Sequence, residues 1–446
     1  MQSPVPGLLK CLPAPLGALA LLLSGASSLA ASPDPAPPPS LTPASPAGLV
    51  EAPVLRLAEA LRLAEAHNPE LASARLELQA TEAAALQAGA RPNPELALLL
   101  EGRDRATRTT TLQLSQAIEL GGKRAARMAA AEQVRAQAAV ALQARRNEVR
   151  AQVTAAYFEL VAAQEQEQLA RSSLDLASSA AAAAAKRLQA GKVPPLEQTR
   201  AQVAEAAARA ELAQAQSERL LARQRLAAFW GQSPQSIGPA SSDAQSLPAL
   251  PSEQEVGAGM AEAPALQLAR LDIARRQALV EAERARRVPD LTLTLGAKRD
   301  AEQGQTQAVV GFSVRLPVHD SNQGNLLEAL RREDQARETL SAATLRLQTE
   351  VAQALERLRL SREQVRLLRQ EALPTARTAY EAALKGYELG KFAFLDVLDA
   401  QRTLFQLRRQ LWRDSAEAFR AAADLDRLLG RPPQPPEFKP QAGVNP

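Results

Sequence analysis

Apolar positions along this chain follow two periods. From 123 to 190, and again from 323 to 389, they recur every three or four residues, as in a helix that buries one face. Val149, Val153, Ala156, Leu160 and Ala163 step by four and three, and Leu347, Val351, Ala354, Leu358 and Ser361 repeat those steps 198 residues later. The spacing predicts two helices roughly 100 Å long at 1.5 Å per residue. A heptad seam of this kind packs against neighbouring helices in coiled-coil fashion, and alanine in it lets the axes approach closely. Gly191 and Gly390 end the long helices as left-handed caps, Pro194-Pro195 and Phe392-Ala393-Phe394 make the turns, and a second helix returns over 195–229 and 394–429.

The second period is two. Leu291, Leu293 and Leu295 alternate with Thr292, Thr294 and Gly296, and Ala308, Val310, Phe312, Val314 and Leu316 share one face of a partner strand. Arg299 to Gln305, with Gly304, forms the polar turn between them. The first half repeats this over 95–102 and 107–118, where Leu112 and Leu114 alternate with Thr111, Gln113 and Ser115. Each half therefore carries one strand hairpin, preceded by a shorter helix at about 54–90 and 262–287.

The two halves are a duplication. Asn68-Pro69-Glu70-Leu71 matches Ala263-Pro264-Ala265-Leu266, and Asn93-Pro94-Glu95-Leu96 matches Val288-Pro289-Asp290-Leu291. Leu188-Gln189-Ala190-Gly191-Lys192 matches Tyr387-Glu388-Leu389-Gly390-Lys391, and Trp230-Gly231 matches Leu429-Gly430. The expected organisation is a first repeat over 54–231, a linker over 232–261, a second repeat over 262–430 and a Pro-rich tail over 431–446.

Composition supports the helical reading and adds a compartment. Aromatic residues are only 3% of the chain and hydrophobic residues 46%, with alanine and leucine prominent, which suits close-packed helices better than one large globular core. The net charge of +4 does not point to nucleic acid, because basic and acidic residues alternate along the helices, as in Arg331-Arg332-Glu333-Asp334. Lys10, the apolar run Leu16 to Leu23 and Ser28-Leu29-Ala30 read as a secretory signal over 1–30, followed by a Pro-rich leader over 31–53. The single cysteine, Cys11, lies within that signal, so the exported chain has no thiol for a disulfide or a metal site. No later segment is apolar enough to cross a bilayer as a helix, so an exported chain that crosses the outer membrane does so as strands. Four short strands cannot close a barrel, and open edges are not tolerated in lipid, so the strands must be shared between subunits; three chains would supply twelve. The fold class is mainly α with a small β part.

The stretch Tyr387-Glu-Leu-Gly390-Lys-Phe-Ala-Phe-Leu-Asp396-Val-Leu-Asp399-Ala-Gln-Arg402 resembles the TolC family of outer-membrane efflux proteins, which carry a Tyr-x-x-Gly turn followed by an Asp-Val-Leu-Asp-Ala run. Ser115-Gln-Ala-Ile-Glu-Leu-Gly-Gly-Lys123-Arg124 and Phe312-Ser-Val-Arg-Leu-Pro317-Val-His-Asp-Ser-Asn322-Gln-Gly324 resemble the strand-to-helix exits of its cobalt–zinc–cadmium efflux branch. The resemblance covers about 54–430. It implies a homotrimer with a twelve-stranded outer-membrane barrel and a helical periplasmic tunnel. It also implies a periplasmic adaptor and an inner-membrane RND-type pump as partners, no enzymatic activity and no cofactor. Asp396 and Asp399 fall where the family places acidic rings at the tunnel tip, and Tyr387 where a tyrosine latches it, with Glu197 as the carboxylate partner. Gly191, Lys192, Gly390 and Lys391 fall at the adaptor-contacting tip. Phe392 departs from the pattern, since some members have an arginine there. The same fold also serves drug efflux and type I protein secretion, and a periplasmic coiled-coil scaffold is the reading from a different class.

Plainer roles stand beside these. Asp396 and Asp399, three residues apart near a helix start, also suit the helix dipole. His67 and His319, without cysteines, make a poor zinc site. Gly121-Gly122-Lys123-Arg124 lacks the first glycine of a phosphate loop, since residue 117 is alanine, and reads as a strand-to-helix bend. Trp230 and Trp412 are packing anchors, and no triad, acid/base pair or nucleophile elbow is present in the sequence.

Overall fold

The computed structural model describes residues 54–241, 247–389 and 391–431. The expected signal and leader, the C-terminal tail beyond Arg431, and Gly390 lie outside the described residues.

The chain runs α1 (Leu57–His67), α2 (Pro69–Ala88), β1 (Glu95–Glu101), β2 (Thr109–Ile118), α3 (Lys123–Gln189) and α4 (Pro195–Ala228). It then repeats this order with α5 (Glu253–Ala261), α6 (Pro264–Arg286), β3 (Leu291–Asp300), β4 (Gln305–Val314), α7 (Gln323–Leu367), α8 (Leu373–Glu388) and α9 (Phe394–Leu429). The helix α3 is unbroken over 67 residues, about 100 Å.

All ten seam positions read from the helical period are buried. Val149, Val153, Ala156, Leu160 and Ala163 are 7% exposed or less except Ala156 at 8%, and Leu347, Val351, Ala354, Leu358 and Ser361 are 4% or less. The returning helix α4 buries Ala201, Ala208, Ala215 and Ala222, one residue in every seven, so its contact row stays on one side for its whole length. A methyl at each of these positions lets two long helices lie close. The main core gathers around α3 halfway along, where Phe158 stacks on Phe419 of α9 with ring centroids 3.6 Å apart. Tyr157 Oη donates within 3.1 Å of the Leu55 and Ser241 carbonyls, and Trp230 is buried beside it with Trp412 packed on the same cluster. A second cluster joins Leu347, Val351 and Leu358 to Leu425 and Leu429 of α9.

Two expected helices are divided. The helix expected over 54–90 is broken at Asn68, whose side chain accepts from the amides of Glu70 and Leu71 and donates to the Phe229 carbonyl at 2.9 Å. Pro69 takes the first helical position, where its missing N–H costs nothing, so the Asn-Pro pair starts a new helix rather than continuing the old one. The helix expected over 323–389 passes through a π-helical turn at Leu368–Ala372. Pro374 has no N–H for the carbonyl of Gln370, and a wider turn removes the clash of its ring with that carbonyl. The linker between the repeats holds α5, started by a Ser252–Glu255 capping box.

The four strands form one antiparallel sheet in the order β1-β2-β3-β4, with β1 and β4 at its edges. The second hairpin is longer than the sequence implied, since β3 continues through Lys298 and Arg299 to Asp300 and leaves only 301–304 as the turn. Register gathers the apolar rows on one face. Leu96 pairs with Leu114, Leu114 with Leu295 and Leu295 with Val310, while Leu98, Leu112, Ala297 and Ala308 line up beside them. Val310 and Phe312 are 78% and 79% exposed, so this face has no cover within the protomer. The opposite face carries Thr111, Gln113, Ser115, Thr292, Thr294 and Lys298, and Ser115 Oγ lies 3.1 Å from Thr294 Oγ1.

Candidate functional site: barrel joint and tunnel tip

Two places stand out in this fold: the joint where strands become long helices, and the far turns where the long helices reverse.

At the joint, β2 exits through Glu119-Leu-Gly-Gly-Lys123. Gly121 and Gly122 hold φ of +69° and +76°, a left-handed bend that glycine adopts without strain. The counterpart before α7 is Asn322 at φ 60°, and its amide nitrogen donates to the Glu283 carbonyl at 2.9 Å and to the Glu283 carboxylate at 2.7 Å. Across the bend Lys123 Nζ donates to Asp290 Oδ1 at 2.7 Å, and the Leu120 amide donates to the same oxygen at 3.2 Å. Arg127 forks onto Glu119, and Arg124 Nε donates to the Gly89 carbonyl at 2.6 Å. The hydrogen bond from Arg127 holds the Glu119 carboxyl below its ordinary value. Burial would raise Asp290, but Lys123 and the Leu120 amide outweigh it and hold it low as well. Lys123 and Asp290 come from different repeats, so this pair ties the two hairpins to one another. The bend expected in place of a phosphate loop is therefore found, and its charged residues are occupied with one another.

At the tip, α3 ends with the Gly191 amide donating to the Leu188 carbonyl at 2.8 Å and the Lys192 amide to the Arg187 carbonyl at 2.9 Å. Gly191 has φ +69°, the left-handed cap read from the sequence. The second tip repeats the geometry, with the Lys391 amide donating to the Gly386 carbonyl at 2.8 Å. Lys192 and Lys391 are exposed. The Phe392 ring lies on Gly386 and leaves no room there for a Cβ.

Tyr387 meets Arg187. The guanidinium donates to Tyr387 Oη at 2.6 Å and its carbon sits 4.6 Å from the ring centroid. Among the described residues no hydrogen bond joins Glu197 to Tyr387; Glu197 occupies the first turn of α4. Arg187 was not singled out from the sequence. The signal for it was its place four residues before Gly191, the position that Gly386 takes before Gly390. Asp396 and Asp399 are exposed at the start of α9. Asp396 Oδ2 accepts from the Ala393 amide at 3.0 Å, so its helix-start role is realised, and Asp399 lies 3.9 Å from Arg402 Nη1. His67 and His319 fall in separate repeats, and no cluster of three or more potential metal-ligating His, Cys, Asp or Glu occurs among the described residues. No described helix is long and apolar enough to cross a membrane, a statement that leaves the strands untouched.

Long paired helices, a single sheet with one mainly apolar exposed face, and a helix reversal at the opposite end define a channel protomer. The chain matches the family described as outer membrane efflux protein over residues 60–232 and again over 259–431, and it belongs to that family. It is 42% identical to the cobalt-zinc-cadmium resistance protein CzcC of Cupriavidus metallidurans over 84% of this chain and 90% of that one. It is 30% identical to the nickel-cobalt-cadmium resistance protein NccC of Alcaligenes xylosoxydans xylosoxydans over 62% of this chain and 63% of that one. Among solved structures, CusC superposes with a TM-score of 0.71 at 22% identity, covering 84% of this chain and 92% of that one. VceC of Vibrio cholerae superposes with a TM-score of 0.70 at 23% identity, covering 84% and 96%. The fold is shared with these channels, and the protein is an outer-membrane efflux component with a large helical periplasmic part.

Proposed function

We propose that this protein is the outer-membrane channel of a tripartite system that exports divalent heavy-metal cations. The observation that carries the cargo is the 42% identity to a cobalt-zinc-cadmium resistance protein across nearly the whole of both chains. The sheet supports the membrane part. Strands β2, β3 and β4 are ten residues each, the length a tilted strand needs to cross the hydrocarbon layer. With β1 and β4 at open edges, three four-stranded sheets pair edge to edge into twelve strands, the apolar face toward lipid and the Thr/Gln/Ser face toward water.

Gly191, Lys192, Gly390 and Lys391 form the tip that meets a periplasmic adaptor, and an inner-membrane RND-type pump supplies the energy. Asp396 and Asp399 of three protomers ring the mouth and concentrate cations. Arg187 on Tyr387 holds the two reversals of one protomer together at that mouth. Deleting the gene should raise sensitivity to cobalt, zinc, cadmium or nickel, and the intact gene on a plasmid should restore resistance. A deletion strain with unchanged metal tolerance but altered drug tolerance or protein secretion would move the cargo to one of those classes and leave the channel in place.

A further inference from the structure

Many arginines of the helical body pair with carboxylates, as in Arg135–Glu132, Arg209–Glu205 and Arg366–Glu363, while Arg146, Arg200, Arg346 and Arg408 stand singly on separate helices. At the far end of the sheet, four such arginines lie together. Arg103 and Arg105 in the first hairpin turn, Arg108 just before β2 and Arg299 near the end of β3 enter no ion pair and no side-chain hydrogen bond among the described residues.

Their placement follows from strand parity. Thr110 and Arg108 continue the row of Leu114 and Leu112, and Arg299 continues the row of Leu293, Leu295 and Ala297. The ladder persists to this point, because Thr110 faces Arg299 and the Ala301 amide donates to the Arg108 carbonyl at 3.1 Å. Arg108 and Arg299 therefore stand on the apolar, lipid-facing side, diagonal neighbours roughly 7–8 Å apart across the β2–β3 pair. The strand carboxylates at the same height turn away from them: Glu101 pairs with Thr109 and Thr109 with Asp300, all in the row of the polar face. Two guanidiniums with no carboxylate between them repel unless an anion bridges them, and guanidinium forks match phosphate oxygens best.

Every helix attaches at the other end of the sheet, so these hairpin tips emerge on the outer side of the membrane, and the outward rows reach headgroup level just above their last leucine. We propose that Arg108 and Arg299, supported by Arg103 and Arg105, bind the phosphate groups of a phosphorylated glycolipid in the outer leaflet. In a trimer this makes a basic collar on the lipid-facing rim, separate from the path of the cargo. The proposal rests on the barrel reading, which conductance in a planar bilayer tests separately.

The experiment uses purified full-length trimers and three probes: lipid A with both phosphates, the same glycolipid with its phosphates removed, and inorganic phosphate. Binding is followed by native mass spectrometry and by titration. The wild type should prefer the phosphorylated glycolipid by tenfold or more, R108Q/R299Q should lose that preference, by roughly tenfold per guanidinium, and R108K/R299K should keep part of it. Inorganic phosphate at millimolar concentration should compete weakly. Equal binding of both glycolipids by the wild type, or an unchanged preference in R108Q/R299Q, overturns the proposal. Inorganic phosphate that binds as tightly as the lipid overturns the lipid assignment in favour of a free anion. Should R108Q/R299Q fail to assemble, R103Q/R105Q carries the same test, with a preference expected to weaken and an unchanged one counting against the collar.

Discussion

Gly121 and Gly122 stand side by side in the bend between barrel and tunnel, yet the structure assigns them different sensitivities. A Cβ added at Gly121 would lie 2.6 Å from Val288 Cβ and 3.0 Å from the Ala285 carbonyl oxygen, neither of which is the loose end of a side chain. Its φ of +69° adds strain for any L-residue. The left-handed conformation costs about 1–2 kcal/mol and overpacking roughly 1–3 kcal/mol, so Gly121→Ala should cost about 2–5 kcal/mol. Gly122 has the same kind of φ, but a Cβ there meets nothing within 4 Å. Gly122→Ala should therefore cost about 1–2 kcal/mol. Gly122→Asn should cost less than about 1 kcal/mol, because asparagine tolerates this conformation and Asn322 already adopts it before α7. The assay is the dissociation temperature of detergent-purified trimers, read with the amount of trimer reaching the outer membrane. The expected order of stability is wild type, Gly122→Asn, Gly122→Ala and, well below, Gly121→Ala. If Gly121→Ala and Gly122→Ala dissociate together, the Val288 contact is not what requires glycine. If Gly122→Asn is worse than Gly122→Ala, the left-handed argument is wrong.

Three further outcomes are expected. In single-channel recordings, D396N/D399N should lower cation preference and relieve block by multivalent cations; a stability change with unchanged selectivity would leave the two aspartates with the helix-start role alone. Arg187→Ala removes both the hydrogen bond and the ring contact at Tyr387, an interaction worth about 1–2 kcal/mol, and should raise the resting conductance; an unaltered resting conductance would detach this pair from the closed tip. Glu119 and Asp290 are held below their ordinary values, so their contribution is complete above the normal carboxylate range and is lost as pH falls through the lowered values. Trimer dissociation temperature should therefore drop below about pH 4, and Asp290→Asn should flatten that drop; parallel curves for variant and wild type would argue against it.

Much of this architecture was legible because the period of burial matches the period of the element. The seam at Val149, Val153 and Leu160 needed only helical geometry, and the hairpins needed only the alternation around Leu293 and Leu295, since both faces of each element are chemically distinct. What escaped the sequence depended on contacts between distant residues. At Asn68 the local Asn-Pro cap starts the new helix, but the orientation of that break is fixed by a side-chain contact to the Phe229 carbonyl, 161 residues away. The pairing of Arg187 with Tyr387 joins residues 200 apart, and only its place four residues before Gly191 sets it apart from the other arginines of α3. Sequence position places Tyr387 beside the second reversal, but it says nothing of which side chain its hydroxyl reaches, and that partner is Arg187.

The π-helical turn at Leu368–Ala372 explains a small arithmetical oddity in the duplication. Before it, equivalent buried residues are 198 apart, as Leu160 and Leu358 are; after it they are 199 apart, as Ala184 and Ala383 are. The second arm has thus accepted one additional residue relative to the first. In a uniform α-helix that insertion would turn everything beyond it by about 100° and carry the inward-facing row out to solvent. A single widened turn takes up the extra residue locally and returns the helix to phase. Ala383 is still buried, and the Gly386–Lys391 reversal still mirrors Arg187–Lys192. The turn acts as an expansion joint. It let the two arms of an ancestral duplication drift in length by one residue while keeping the quasi-equivalence on which a tube of alternating arms depends.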